Sequence, residues 1–187
     1  RKYRILHIAA SLEVGGTEKW LVKLIRYWNN DIFEPIVISF REGELEEELI
    51  DLGVEPIILG KQEGHHLRFL YQLLTKFNQL KPDLVHCRNA LPAVIYGGLA
   101  AKIANLPLVV SIHGHTNFSE SFKVKIWYMV QNLSDKIITV SESIRNVLIT
   151  DGRINPRKIT VIHNGIDLTC VRRELKESKK LELGLDS

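Results

Sequence analysis

Cysteine is nearly absent: two occur among the 187 residues, and Cys87 and Cys170 have neither the spacing of a disulfide framework nor that of a metal or redox motif. Both are expected as reduced thiols. Long hydrophobic runs are missing too. The longest, such as Leu106 to Ile112, fall far short of the roughly 20 residues that cross a bilayer. No signal-peptide pattern opens the sequence, so a cytoplasmic protein is expected. Nor is there a block of one charge. The 25 basic and 22 acidic residues are interspersed and leave a net charge of +3, which excludes the cationic stripe of a duplex nucleic-acid binder. No internal repeat, low-complexity stretch or obvious linker precedes about Asp167.

What is there is a soluble globular composition, 45% hydrophobic and 25% charged, enough to bury one substantial core. Short apolar runs alternate with amphipathic stretches of helical period, the rhythm of βαβ units and of a parallel sheet covered on both faces. Strands are predicted at Tyr3 to Ala9, Pro35 to Phe40, Glu55 to Leu59, Leu84 to Cys87, Leu108 to His113, Lys136 to Val140 and Lys158 to Ile162. Helices are predicted at Thr17 to Trp28, Glu44 to Leu52, Leu67 to Leu80, Leu91 to Asn105, Phe122 to Leu133 and Glu142 to Thr150. Gly53 is expected to end the second helix, Ser141 to cap the sixth, and Pro82 to bar helix before the fourth strand. The expected fold is α/β: a Rossmann-like, doubly wound parallel sheet of about seven strands with helices on both faces. In such sheets ligands bind outside the carboxyl ends of the strands, so chemistry is sought in the loops that follow them.

The loop after the first strand runs Ala10-Ser-Leu-Glu-Val-Gly-Gly-Thr-Glu18 directly into a helix. Gly15 and Gly16 remove side chains where backbone must approach a ligand, and a helix start offers free N–H groups and partial positive charge to an anion such as a diphosphate. The same residues also suit a plain tight turn, with Thr17 as N-cap and Glu18 beside the positive helix end. The fifth strand ends in Ser111-Ile-His113-Gly114-His115. An imidazole there can hydrogen-bond a substrate hydroxyl or phosphate, or simply a neighbouring backbone carbonyl. Zinc held by His113 and His115 with His65 and His66 lacks a third ligand at recognisable spacing. His86, in mid-strand, reads as a satisfied core histidine. Arg88 and Asn89, placed just past the fourth strand, are set to contact an acceptor or to meet solvent. Asn164-Gly165 by itself means a turn.

Together these segments resemble the retaining GT-B glycosyltransferases of family 4, over nearly the whole chain. Gly15-Gly16-Thr17-Glu18 is similar to the family's Gly-Gly-x-Glu loop, Pro82-Asp-Leu-Val-His86 to its P-D-[VLI]-[VI]-H strand, and Ser111-Ile-His-Gly114 to its [ST]-x-H-[GD] segment. Ile138-Thr-Val-Ser141 resembles its next strand, and Val161-Ile-His-Asn-Gly-Ile-Asp167 the V-I-[PYH]-N-G-[VI]-D signature that closes the first domain. The resemblance implies an N-terminal, acceptor-side domain over 1–167 and a linker over 168–187, leading to a second domain that binds the nucleotide sugar. It also implies that Gly15 and Gly16 face the diphosphate of a UDP- or GDP-sugar donor and that His113 is the active-site histidine. Glu18, Arg88, Asn89 and Asn117 are acceptor-side candidates. No Asp-x-Asp occurs, in keeping with the metal-independent chemistry of that fold, so neither a cofactor nor a metal is expected.

The expected partners are a nucleotide-sugar donor, a carbohydrate or lipid-linked acceptor, and the second domain; nucleic acid is not among them. Trp127, Tyr128, Lys123 and Lys125 suit either peripheral contact with a membrane carrying a lipid-linked acceptor or an ordinary helix with core aromatics. Two other classes are weighed. A nicotinamide-dependent Rossmann oxidoreductase needs Gly-x-Gly-x-x-Gly after the first strand, and that spacing is absent. A non-catalytic sugar- or nucleotide-binding module would bind its ligand without transfer.

Overall fold

The computed structural model of the chain describes residues 1–60, 66–88, 90–114, 122–165 and 182, and only the backbone of Phe122 and Lys123. Asn89, Asn117, His65, His115, Cys170 and all of the expected linker except Glu182 lie outside the described residues.

All seven expected strands form: β1 Tyr3–Ala9, β2 Phe33–Ser39, β3 Ile57–Ile58, β4 Leu84–Arg88, β5 Leu108–Ile112, β6 Lys136–Thr139 and β7 Ile159–Val161. They make one parallel sheet in the order β3-β2-β1-β4-β5-β6-β7. The helices are α1 Gly16–Arg26, α2 Leu45–Asp51, α3 His66–Leu80, α4 Gly98–Ile103, α5 Phe122–Leu133 and α6 Glu142–Thr150.

The chain winds outward from β1 in one direction through β2 and β3, then returns and winds the other way from β4 to β7. Right-handed crossovers then place the two sets of helices on opposite faces. Two cores result. Leu21, Val22 and Ile25 of α1 with Leu45 and Leu49 of α2 bury Ala9 and Val37 on one face. Phe69 and Leu73 of α3, Ala101 of α4, Trp127 of α5 and Ile144 of α6 bury Leu6, Ile8, Val85, Cys87 and Val110 on the other. Successive strand residues alternate between these faces, which is why the strands read as nearly continuous apolar runs.

Two aspartates, Asp83 and Asp135, tie neighbouring strands together. Arg4 N donates to Asp83 Oδ2 (2.8 Å), pinning the start of β4 to β1. Leu108 N donates to Asp135 Oδ2, also 2.8 Å, and does the same for β6 and β5. Each carboxylate satisfies a strand-end N–H that would otherwise lack a partner. Ser141 caps α6 as expected, its Oγ accepting from Ile144 N at 3.3 Å, and Gly53 ends α2 with φ +79°, a conformation that favours glycine.

Three expectations need correction. Thr17 is not the cap of α1: the helix begins one residue earlier, Gly15 occupies the cap position in extended conformation, and no side chain caps it. β3 is two residues long rather than five, because Pro56 has no N–H for the ladder and Gly60 (φ +59°) turns the chain away. The expected helix from Leu91 to Asn105 contains a π-helical segment, Ala93–Gly97, before α4. Here Gly97 and Gly98 press against the sheet and α5: an added Cβ would stand 2.8 Å from Cys87 Sγ at the first and 2.3 Å from Val130 Cγ1 at the second.

Candidate active site

The winding reverses between β1 and β4, opening a crevice at their carboxyl ends where ligands of open α/β sheets settle. Four of the expected site residues lie at that edge of the sheet. Gly15 ends the loop from β1 and Gly16 opens α1, Arg88 ends β4, and His113 follows β5 directly. A cleft of about 370 Å³ is lined by Gly16, Thr17, Lys19, Trp20, Lys23, His113 and Asn164. A larger hollow, about 640 Å³, lies among Arg1, Asp83 and Leu106 at the amino ends of the strands. That is the wrong end of the sheet for the chemistry of such folds.

Gly15 and Gly16 have different reasons to be glycine. An added Cβ on Gly15 would stand 2.4 Å from Glu18 Oε2, since the Glu18 side chain folds back over the helix start. At Gly16 it would meet nothing within 4 Å, so the protein's own packing does not require the small residue and the space opens on the cleft. The loop is held from behind by Gly43, where a Cβ would stand 2.0 Å from the Leu12 carbonyl carbon and 2.1 Å from Glu13 N. Backbone bonds from Phe40 N to Ala9 O (3.1 Å) and from Leu45 N to Leu12 O (3.0 Å) complete that contact.

Beneath the cleft, on the face that α1 covers, runs a line of polar side chains. His7 and His86 are register partners on β1 and β4, with ring centroids 5.1 Å apart. His86 Nε2 is hydrogen-bonded to Ser111 Oγ at 2.7 Å, which bears out its reading as a satisfied core histidine. Arg88 is the last residue of β4 and is buried, not past the strand at the rim as expected. Its Nη2 donates to His113 Nε2 at 3.3 Å. The partner of His113 is thus a guanidinium rather than a backbone carbonyl. Burial lowers the Arg88 pKa to about 10, with the Glu18 carboxylate acting the other way, so Arg88 is a cation at neutral pH. Burial and then Arg88 lower His113 to about 4, leaving a neutral ring.

Glu18 is half-buried over Gly15 and, like Gly15 and Arg88, is not among the residues that line the cleft. Asn89 and Asn117 lie outside the described residues. Five lining residues were not among the site residues expected from the sequence: Thr17, Lys19, Trp20, Lys23 and Asn164. Trp20 counted there as part of the apolar stripe of α1, yet its ring lies 6.2 Å from that of His113, with the Lys23 ammonium 5.9 Å from its centroid. The available signal was an indole flanked by basic residues in the first turns of the helix that follows a glycine pair. Trp127 is buried in the core and Tyr128 packs against it, so the core reading of these α5 aromatics holds. Among the described residues no group of three or more His, Cys, Asp or Glu could hold a metal ion, and no helix is long and apolar enough to cross a membrane.

A parallel sheet that reverses its winding above a glycine-lined helix start, with a histidine on the opposite lip, defines a Rossmann-like ligand-binding domain of the kind that forms half of a GT-B enzyme. The chain belongs to Glycosyltransferase Family 4, whose sequence pattern matches residues 14–169. It is 26% identical over 182 residues to the UDP-Gal:alpha-D-GlcNAc-diphosphoundecaprenol alpha-1,3-galactosyltransferase of Escherichia coli, covering 89% of this chain and 46% of that protein. A glycosyltransferase structure from Rickettsia africae superposes with a TM-score of 0.75 at 25% identity over 100% of this chain and 50% of that one. The Anabaena HepE structure in complex with UDP-glucose does so with 0.77 at 20% identity, over 97% and 50%. The chain therefore spans about half the length of the proteins it matches.

Proposed function

We propose that the protein transfers a sugar, with retention of anomeric configuration, from a nucleotide-sugar donor to a carbohydrate or lipid-linked acceptor. In this reading the present chain forms the acceptor-side wall of the active site. The observation that carries the reading is the convergence of the open Gly16 helix start and His113 on one cleft at the winding reversal, in a chain of this family. Donor phosphates would meet the backbone N–H groups of the Gly15–Gly16 turn, which stabilise the charge that develops on the leaving diphosphate. His113, neutral, would donate a hydrogen bond to the transferring sugar or hold the acceptor. The Trp20 ring offers an apolar face to a sugar ring, and Lys19 and Lys23 offer charge to an anionic acceptor. The curated relative's named donor and diphosphate-lipid acceptor make UDP-sugars and polyprenyl-diphosphate sugars the first compounds to try.

A second domain would supply the opposite wall, and alone this chain would bind donor weakly and transfer poorly. In keeping with the resemblance drawn from the motifs, the reaction would proceed without a divalent ion, in the cytoplasm, with the protein at most peripheral to the membrane. The test is to incubate full-length protein with UDP- and GDP-sugars and an acceptor series, with and without EDTA, and to read the anomeric configuration of the product by NMR. Metal-independent formation of a retained glycoside supports the reading. Donor binding without transfer to any acceptor class would instead mark a binding module.

A further inference from the structure

We infer that Arg88 is a positioning residue that fixes the tautomer of His113, leaving the proton on Nδ1 and making the ring a hydrogen-bond donor rather than a proton acceptor. The argument starts from what each group can do. A guanidinium carries only donors, so at the 3.3 Å contact between Arg88 Nη2 and His113 Nε2 the imidazole nitrogen must offer a lone pair. Nε2 is then unprotonated, and a neutral ring carries its one proton on Nδ1. An imidazolium is excluded from this arrangement, because both of its nitrogens donate and would face the guanidinium hydrogens.

Arg88 is itself held in place. It closes β4 opposite Ser111 in the β4–β5 register, is buried, and has the Glu18 carboxylate acting on its charge from the start of α1. The charged and titratable groups acting on His113 are Arg88 directly and His86 one step deeper, with Lys19 and Lys23 lining the same cleft. None of these supplies an acceptor that competes for Nε2. Nδ1 is buried without a partner among the described residues. A buried N–H left unpaired is costly, and an acceptor oxygen would satisfy it once the groups that cover Nδ1 give way.

The tautomer follows from the geometry alone. What Nδ1–H does in the reaction rests on the glycosyl-transfer reading above, where it would bond a hydroxyl of the transferring sugar or of the acceptor. Using the tautomer this way also explains why an arginine is buried beneath the cleft: a residue able to accept as well as donate would leave both tautomers open.

The test is long-range ¹H–¹⁵N correlation NMR of the ¹⁵N-histidine-labelled full-length protein at pH 7.5, with the His113 signals assigned by their loss in His113→Asn. The expected pattern is a protonated Nδ1 and an unprotonated Nε2. In Arg88→Met the ring should shift toward the Nε2–H form, with its titration midpoint moving up toward 6.5, whereas Arg88→Lys, still only a donor, should keep the Nδ1–H form. The wild-type spectrum decides the matter even where a variant does not fold: an Nε2–H signal for His113 overturns the inference. So does an Nδ1–H form that Arg88→Met leaves unchanged. In transfer assays Arg88→Met should lower kcat by roughly 10- to 100-fold, the scale on which losing the group that orients a functional histidine acts elsewhere, with donor KM little changed. If the wild-type protein shows no transfer, the functional reading fails while the tautomer result stands.

Discussion

His7 and His86 face each other across adjacent parallel strands, both buried, with ring centroids 5.1 Å apart. Neither can take up a proton cheaply. Burial and then Arg88 lower His7 to about 3; burial, His7, Arg88 and His113 hold His86 well below 6.5. In the unfolded chain both return to ordinary values near 6.5. Their contribution to stability is therefore fully present above about pH 6.5 and lost as the pH falls, because the unfolded chain then binds two protons that the folded chain refuses. Each contributes a slope of about 1.4 kcal/mol per pH unit. Urea denaturation between pH 7.5 and pH 5 should show unfolding free energy falling with acidification, with His7→Leu reducing the slope by about half of this contribution. A pH-independent midpoint over that range would refute the account.

Cys87 lies in the core between β1, β4 and the π-helical segment, against Gly97. Burial raises its thiol far above the usual cysteine range, so the reactive thiolate is unavailable in the folded protein. Iodoacetamide at pH 8 followed by peptide mass mapping should leave Cys87 unmodified in native protein and modify it fully in 6 M guanidinium. Native labelling within minutes would show that this core opens.

How much of this was legible beforehand can be judged from particular residues. The seven strands were readable because a parallel sheet buried on both faces demands short runs of Val, Ile and Leu, and the crossover helices declare themselves by period. That Gly16 and His113 would meet at one edge of the sheet was readable because their neighbours form known motifs. Arg88 was misplaced by one structural step: a charged residue at the end of an apolar run is ordinarily the first residue outside, and nothing local announces that Glu18 and His113, distant in sequence, surround it in the fold. His7 went unnoticed for a similar reason, since its partner is the register neighbour His86. Gly43 carries no motif, and its close approach to the Leu12 backbone exists only after β1 and β2 pair. Local chemistry is written along the chain, whereas contacts set by register and crossover are not.

His113 is the one imidazole that lines the described cleft, and the proposed role requires its donor. In full-length protein, His113→Ala should reduce kcat/KM for transfer by about 10²-fold, the scale for removing one hydrogen-bond donor aimed at the reacting centre, while leaving the denaturation midpoint above pH 7 nearly unchanged. Retained transfer to the natural acceptor would remove His113 from the active site.

Gly16 and Gly43 should respond in opposite ways to the same substitution. At Gly43 an added methyl would stand about 2 Å from backbone atoms of Leu12 and Glu13, and backbone cannot rotate away, so Gly43→Ala should cost on the order of 1–3 kcal/mol as an overpacked site and displace the glycine loop. At Gly16 the methyl meets open space inside the first turn of a helix. There alanine is the better helix former, by roughly 0.5–1 kcal/mol. Gly16→Ala should therefore match or exceed wild-type stability and, on the proposed function, raise the KM for donor, because the methyl would occupy the cleft. Thermal unfolding of both variants, with donor titration of full-length protein, separates the two outcomes. If Gly16→Ala bound donor as wild type does, the glycine would owe its place to the turn and not to the ligand.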